Sequence, residues 1–270
     1  MYLDHAATTP LRAEALAAMM PWLTDSYGNA SGGHRLAREA RRAVDEARES
    51  VAEVVGCRPG EVVFTGGGTE ADNLAISGFA AAAARGGAPS TVVCTSIEHH
   101  AVLHAVEHVG GRTVPVDTDG VVDLDLLAAG LDPSVGLVSV MLANNEVGTI
   151  QDLAAVAAVV GSASPAAVIH TDAVQAAPWL DLRERAAPAA LVSLAAHKFG
   201  GPQGVGALVV RHPVRVDPIL RGGGQERELR SGTHNVAGIV GMAAALREAA
   251  AGRDTVGSRV ATLRLSLIHI

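Results

Sequence analysis

The chain has 270 residues, enough for one large domain or about two ordinary ones. Apolar residues make up 49% of it but aromatic ones only 3%, so its core is expected to be built from Ala, Val and Leu. A formal net charge of −7 with no basic run argues against nucleic-acid and anionic-membrane partners. No stretch has the length and uniform apolarity of a transmembrane helix. Two cysteines without CxxC spacing and a start, Met1-Tyr2-Leu3-Asp4, unlike a signal peptide lead us to expect a reduced, cytoplasmic protein.

Along the chain, short β-rich runs alternate with Ala-rich helical patterns. A long amphipathic helix is expected over Arg35–Val55, with Leu36, Ala40, Val44, Ala47, Val51 and Val54 on one stripe and Gly56 as its stop. Strands are predicted at Glu61–Thr65, Thr91–Thr95, Arg112–Val116, Gly136–Leu142, Ala167–Thr171, Ala190–Leu194 and Val205–Arg211. Most are continuous apolar runs rather than alternations, as for strands covered on both faces. A further helix is expected over Asp152–Val160, then one over Ile239–Ala251 and the start of another at Val256–Leu265. The pattern predicts an α/β domain with a mostly parallel sheet, whose ligands bind beyond the carboxyl ends of the strands.

The residues that follow each strand therefore carry the functional argument. Glu61–Thr65 runs into Gly66-Gly67-Gly68-Thr69 and a helix, a turn suited to an anion. It is neither the GxGxxG fingerprint nor a P-loop, and a plain tight turn accounts for the same residues. Thr91–Thr95 leads to His99, placed to stack on a flat ligand or move a proton. His100, His104 and His108 follow at helical spacing; a solvated face suits them better than zinc, since no carboxylate or cysteine completes a ligand set. Gly136–Leu142 leads to Asn144-Asn145, whose amides could bind a substrate or serve only the turn. Asp172 ends a buried strand and needs a cationic partner, either a pyridinium N–H or an arginine.

Ala190–Leu194 leads to His197-Lys198. Lys198 is the only lysine among twenty-one Lys and Arg, in Gly-rich surroundings. Guanidinium never loses its proton, whereas an amine with a lowered pKa can attack a carbonyl. An anion-binding turn, a stackable histidine, a buried aspartate and one lysine at strand ends form the set that pyridoxal 5'-phosphate requires.

At this point the sequence resembles the cysteine desulfurases of the class V aminotransferase-like pyridoxal phosphate enzymes. The resemblance rests on Tyr2–Pro10, Tyr27–Asn29, Phe64–Asn73, Glu98-His99, Asn144–Gly148, His170–Gln175, His197-Lys198, Gly222–Glu226 and Arg230–Thr233, in order from residue 2 to about 264. It implies the type I pyridoxal phosphate-dependent transferase fold. The expected divisions are an N-terminal segment (1–14), a large cofactor-binding domain with a mostly parallel seven-stranded sheet (15–252), and the start of a small domain (253–264). Residues 265–270 read as a translated adapter, with an ordinary terminus as the alternative.

The resemblance also implies roles. Lys198 bonds the cofactor aldehyde and shuttles protons, Asp172 pairs with the ring nitrogen, and His99 stacks on the ring. Gln175 bonds the phenolic oxygen, with Asn145 near it and the substrate carboxylate. Gly68, Thr69 and His197 hold the phosphate, and Thr233 reaches the cofactor of a neighbouring subunit in a homodimer. Two departures are expected to matter. Ala195 replaces a frequent serine phosphate ligand, which should weaken cofactor retention. The family's sulfur-attacking cysteine and carboxylate-binding arginine belong to a C-terminal region beyond this chain, and Cys57 and Cys94 do not fit that role.

The implied activity is release of sulfur from L-cysteine, giving L-alanine and a cysteine persulfide for an acceptor or an iron–sulfur scaffold protein. The 270-residue chain alone is expected to turn over little or not at all. The alternatives are another class V enzyme, such as a selenocysteine lyase or small-amino-acid aminotransferase, and a catalytically silent dimerisation or scaffold fragment.

Overall fold

The computed structural model describes residues 2–268. In chain order the elements are α1 (Ala13–Leu23), α2 (Arg35–Val55), β1 (Val62–Thr65), α3 (Gly68–Arg85), β2 (Thr91–Thr95), α4 (His100–His108), β3 (Arg112–Val114), α5 (Leu124–Ala129), β4 (Val135–Ser139), α6 (Leu153–Ala163), β5 (Val168–Asp172), α7 (Leu182–Arg185), β6 (Leu191–Ala195), β7 (Gly206–Val210) and α8 (Val236–Ile268). The seven strands form one sheet in the order β1-β7-β6-β5-β4-β2-β3. Strand β7 runs antiparallel to both neighbours, and the remaining pairings are parallel. All strands but β7 therefore point the same way, and their carboxyl ends share one edge.

The sheet separates two apolar cores. Along β1, Val62 and Phe64 enter one core and Val63 the other; β6 likewise sends Val192 and Leu194 to one side and Leu191 to the other. Burial on both faces explains the continuous apolar text of these strands. Helices α3 and α4 cover one face through Leu74, Ile76, Val102 and Val106. Helices α2, α5, α6 and α8 cover the other, with Val51, Leu127, Val156 and Leu246. Helix α2 has the predicted bounds because its stripe is apolar and Gly56 adopts φ 73°, the left-handed conformation that closes a helix.

Several predicted bounds differ from the observed ones: β3 ends at Val114 rather than Val116, α6 runs on to Ala163, and two differences are larger. Strand β4 stops at Ser139 rather than Leu142, although Val140 and Leu142 still donate backbone bonds to His170 and Asp172. The two C-terminal helices are one continuous helix, α8, which passes through Gly252 and Gly257. A glycine inside a helix costs only about 1 kcal/mol, and 33 residues of i to i+4 bonding outweigh the four in α8. Leu265–Ile268, within the segment read as an adapter, extend this helix as exposed residues; 269 and 270 lie outside the described residues. The longest apolar helices contain no segment apolar enough to cross a membrane among the described residues.

Candidate active site

The shared strand edge opens into a cavity of 560 Å³. Gly68, Thr69, His99, Asn145, Asp172, Gln175, His197 and Lys198 all line it, joined by Asp72 and Met141. Eight of the nine site residues expected from sequence thus meet in one place. Thr233 does not line this cavity; it is exposed in the loop before α8.

Each side chain is placed by its strand end. Strand β1 leads into Gly67, whose φ of 147° and ψ of −177° are open only to glycine, so the chain can turn sharply into α3. The first N–H groups of this 18-residue helix face an approaching anion. Strand β2 leads to His99, which caps α4: its Nδ1 accepts from the Ala101 N–H at 3.1 Å. In the neutral ring the proton therefore sits on Nε2. After β4, Asn144 builds the turn, its Oδ1 accepting from the Glu146 and Val147 N–H groups at 2.8 and 2.9 Å. That leaves Asn145 facing the cavity.

Asp172 ends β5, buried, with Oδ1 accepting from the Val174 N–H at 2.8 Å. Burial raises its pKa, while that hydrogen bond and the charges of His99 and Lys198 pull it back down. Lys198 follows β6 on a short 3-10 turn, Ala196–Lys198. Its amine is half-buried, and that desolvation lowers its pKa against the opposing charges of Asp172 and Asp4. A depressed pKa raises the neutral, nucleophilic fraction of the amine.

The N-terminal segment straps this side of the cavity. The Ala6 carbonyl accepts from Lys198 Nζ and from Gln175 Nε2, the latter at 2.7 Å. Thr8 Oγ1 lies 3.2 Å from His197 Nδ1, and Thr9 Oγ1 donates to the His197 carbonyl at 2.8 Å. Gln175, expected to meet a ligand oxygen, is thus engaged by the backbone in this structure. His197 has its pKa lowered, first by burial and then by the Lys198 charge.

Sequence reasoning missed the acids behind this cavity. Asp72 is buried in α3, and burial, then the nearby Asp172 charge, lift its pKa well above the carboxylate range. Its Oδ1 has no hydrogen-bond partner. Glu98 is buried beside His99; Oε1 accepts from Thr95 Oγ1 and the Met141 N–H, each at 2.7 Å, and desolvation raises its pKa to about 8. With its pKa at about 8, Glu98 is mostly protonated at neutral pH. Behind the two acids His170, held neutral by burial that lowers its pKa to about 3, bridges Ser139 Oγ at 2.8 Å and Ser193 Oγ at 3.0 Å. The available signal was position alone: an acid one turn into α3 and another at a strand end.

The remaining candidates lie elsewhere. His100, His104 and His108 sit exposed on α4, and among the described residues no group of three His, Cys, Asp or Glu is arranged for a metal. Neither cysteine lines the cavity. Burial raises the Cys57 thiol to about 11 and the Cys94 thiol to about 12, so both are poor nucleophiles.

Residues 1–264 match the family model described as aminotransferase class-V. The chain belongs to the class V aminotransferase family. It is 42% identical over 269 residues to the cysteine desulfurase IscS of Dictyoglomus turgidum, covering 98% of this chain and 67% of that protein. It is 46% identical over 278 residues to an IscS-like cysteine desulfurase of Mycobacterium tuberculosis, covering 99% and 70%. A solved structure titled NifS-like protein superposes with a TM-score of 0.95 at 37% identity, covering all of this chain and 74% of that one.

Class V aminotransferases depend on pyridoxal phosphate, and the cavity fits that group. It offers one amine of lowered pKa, one buried acid beside Lys198 and His99, and a glycine turn opening onto helix N–H donors. The donor set thus supplies a partner for the aldehyde, the ring nitrogen and the phosphate.

Proposed function

We propose that this class V chain carries the cofactor and substrate-activating half of a pyridoxal phosphate-dependent cysteine desulfurase. The observation that supports this most strongly is the meeting of Lys198, Asp172, His99 and the Gly68-Thr69 turn in one cavity. The names of its relatives give the substrate class, L-cysteine. When bound, the cofactor supplies an aldehyde for amines and a ring that accepts the electrons released at the substrate α-carbon.

This chain's residues would do the rest. Lys198 Nζ would hold the cofactor aldehyde, and its amine of lowered pKa would accept and return the substrate's α-proton. Asp172, beside Lys198 and His99, would pair with the ring nitrogen and keep a proton on it. His99 stacks on the ring and offers Nε2–H to the reacting side. Gly68, Thr69 and His197 hold the phosphate, with Ala195 in place of a further hydroxyl ligand. Gln175, whose amide now donates to the Ala6 carbonyl, would hold the phenolic oxygen, and Asn145 would orient the substrate carboxylate. Thr233 completes the phosphate site of a second subunit in a cytoplasmic homodimer, and the sulfur goes on to an acceptor serving iron–sulfur cluster assembly.

Neither Cys57 nor Cys94 is the thiol that takes the sulfur, so the 270-residue chain alone is expected to bind L-cysteine without sustained turnover. The test is spectroscopic. L-cysteine added to the cofactor-loaded chain should shift its visible absorption while sulfide and L-alanine stay near background. Continuous sulfide release would overturn the assignment of the two cysteines, and an unresponsive spectrum would overturn the substrate assignment.

A further inference from the structure

The loop Gly222–His234 touches the glycine turn at one point. Arg230 Nε donates to Glu70 Oε1 at 2.7 Å, and Nη2 reaches Oε2 at 3.3 Å. The same Glu70 Oε2 accepts from the Gly66 N–H at 2.8 Å. Glu70 stands in the first turn of α3, one residue after Thr69. Its carboxylate therefore holds the start of the glycine turn, close enough that a Cβ on Gly66 would lie 2.6 Å from Glu70 Oε2.

This arrangement carries an electrostatic conflict. A carboxylate at a helix N-terminus is favourable by itself, because it meets the positive end of the helix dipole. A second anion brought to the same terminus is then repelled by it across a short, partly dehydrated distance. The guanidinium removes the conflict. It pairs with both oxygens of Glu70 and leaves the Gly66 bond intact, so the turn keeps its shape while its charge is balanced. Both side chains are about one-fifth exposed, so solvent screens the pair only in part.

We propose that Arg230 is a positioning residue for the cofactor phosphate, acting through Glu70: it neutralises the acid that shapes the turn and so permits a dianion to bind beside it. The inference rests on the reading of Gly66–Thr69 as the phosphate site. It assigns Arg230 no contact with the phosphate itself.

The experiment compares pyridoxal 5'-phosphate with pyridoxal, which lacks the phosphate, in equilibrium titrations of the cofactor-free full chain followed by absorbance. Thermal melting of each cofactor-free variant reports whether it is folded. Wild type should bind the phosphorylated form more tightly. R230A should lose about tenfold in affinity for it, a difference of about 1.4 kcal/mol, with pyridoxal affinity unchanged. E70Q/R230A keeps an oxygen for the Gly66 N–H and removes the charge, and should recover most of the loss. A double variant as weak as R230A, or an R230A that binds like wild type, overturns the proposal. Equal wild-type affinities for the two ligands would overturn the phosphate-site reading and the proposal together.

Discussion

Glu98 allows the electrostatics behind the cavity to be tested in numbers. Its carboxyl is buried, one oxygen is satisfied by Thr95 and the Met141 N–H, and the other has no partner. Burial lifts its pKa from 4.5 to about 8. A carboxyl that stays protonated in the folded state while the unfolded chain ionises makes stability fall as pH rises. The fall begins at the unfolded value and ends at the folded one, so the window runs from 4.5 to about 8. Across it the group removes about 5 kcal/mol, at 1.36 kcal/mol per pH unit.

Glu98→Gln has no proton to lose and retains an oxygen for Thr95 and Met141. Its amide N–H₂ replaces the unpartnered oxygen, at a pH-independent cost of about 1–3 kcal/mol. The variant should therefore be no more stable than wild type near pH 4.5 and more stable at pH 8 by about 2–4 kcal/mol. Urea denaturation of both proteins at half-unit steps from pH 4.5 to 8.5 gives the difference directly, and subtraction cancels the other titrating groups. Parallel stability curves would refute the claim that Glu98 is held protonated behind the site.

Ala195 lines the cavity, and under the proposed function a hydroxyl there would serve the cofactor phosphate. Ala195→Ser should slow loss of pyridoxal phosphate during dialysis about tenfold, as a hydrogen bond to a charged group is worth about 1.5–3 kcal/mol; an unchanged rate would count against that geometry. Glu226 forms a buried pair with Arg48 at 2.7 Å and accepts from the Phe64 N–H at 2.8 Å. Its pKa is held near 2: desolvation raises it, but is outweighed by Arg48, His234 and the Phe64 N–H. Glu226→Ala strands the Arg48 charge and should cost about 3–5 kcal/mol in chemical denaturation at pH 7. Because the depressed pKa stabilises only above the unfolded value, the difference from wild type should shrink as pH falls from 4.5 towards 2.

Much of this arrangement was legible before any coordinates. Strands buried on both faces must be apolar throughout, so their positions could be read, and the rule that ligands bind beyond strand ends selected His99, Asp172 and Lys198. Lys198 stood out because no other side chain carries a titratable amine. What escaped was whatever depends on neighbours distant in sequence. Asp72 looks like an ordinary acid in the second turn of a helix, and only packing against β5 and β6 buries it. The Ala6 carbonyl, which meets Lys198 and Gln175 across more than 160 residues, has no signature at all. Arg230 and Glu70 were visible as part of a family resemblance, but their pairing was not. The split of α8 was misread because glycines weaken a helix locally without ending it.

The central claim is that Lys198 is the amine that takes the cofactor. The chain should be saturated with pyridoxal 5'-phosphate, reduced with borohydride, digested and mapped by mass spectrometry. The account predicts one modified peptide, carrying the reduced cofactor on Lys198, and neither the wild-type absorption band nor a modified peptide in Lys198→Ala. An unmodified Lys198, or a variant that keeps the wild-type band, would contradict it.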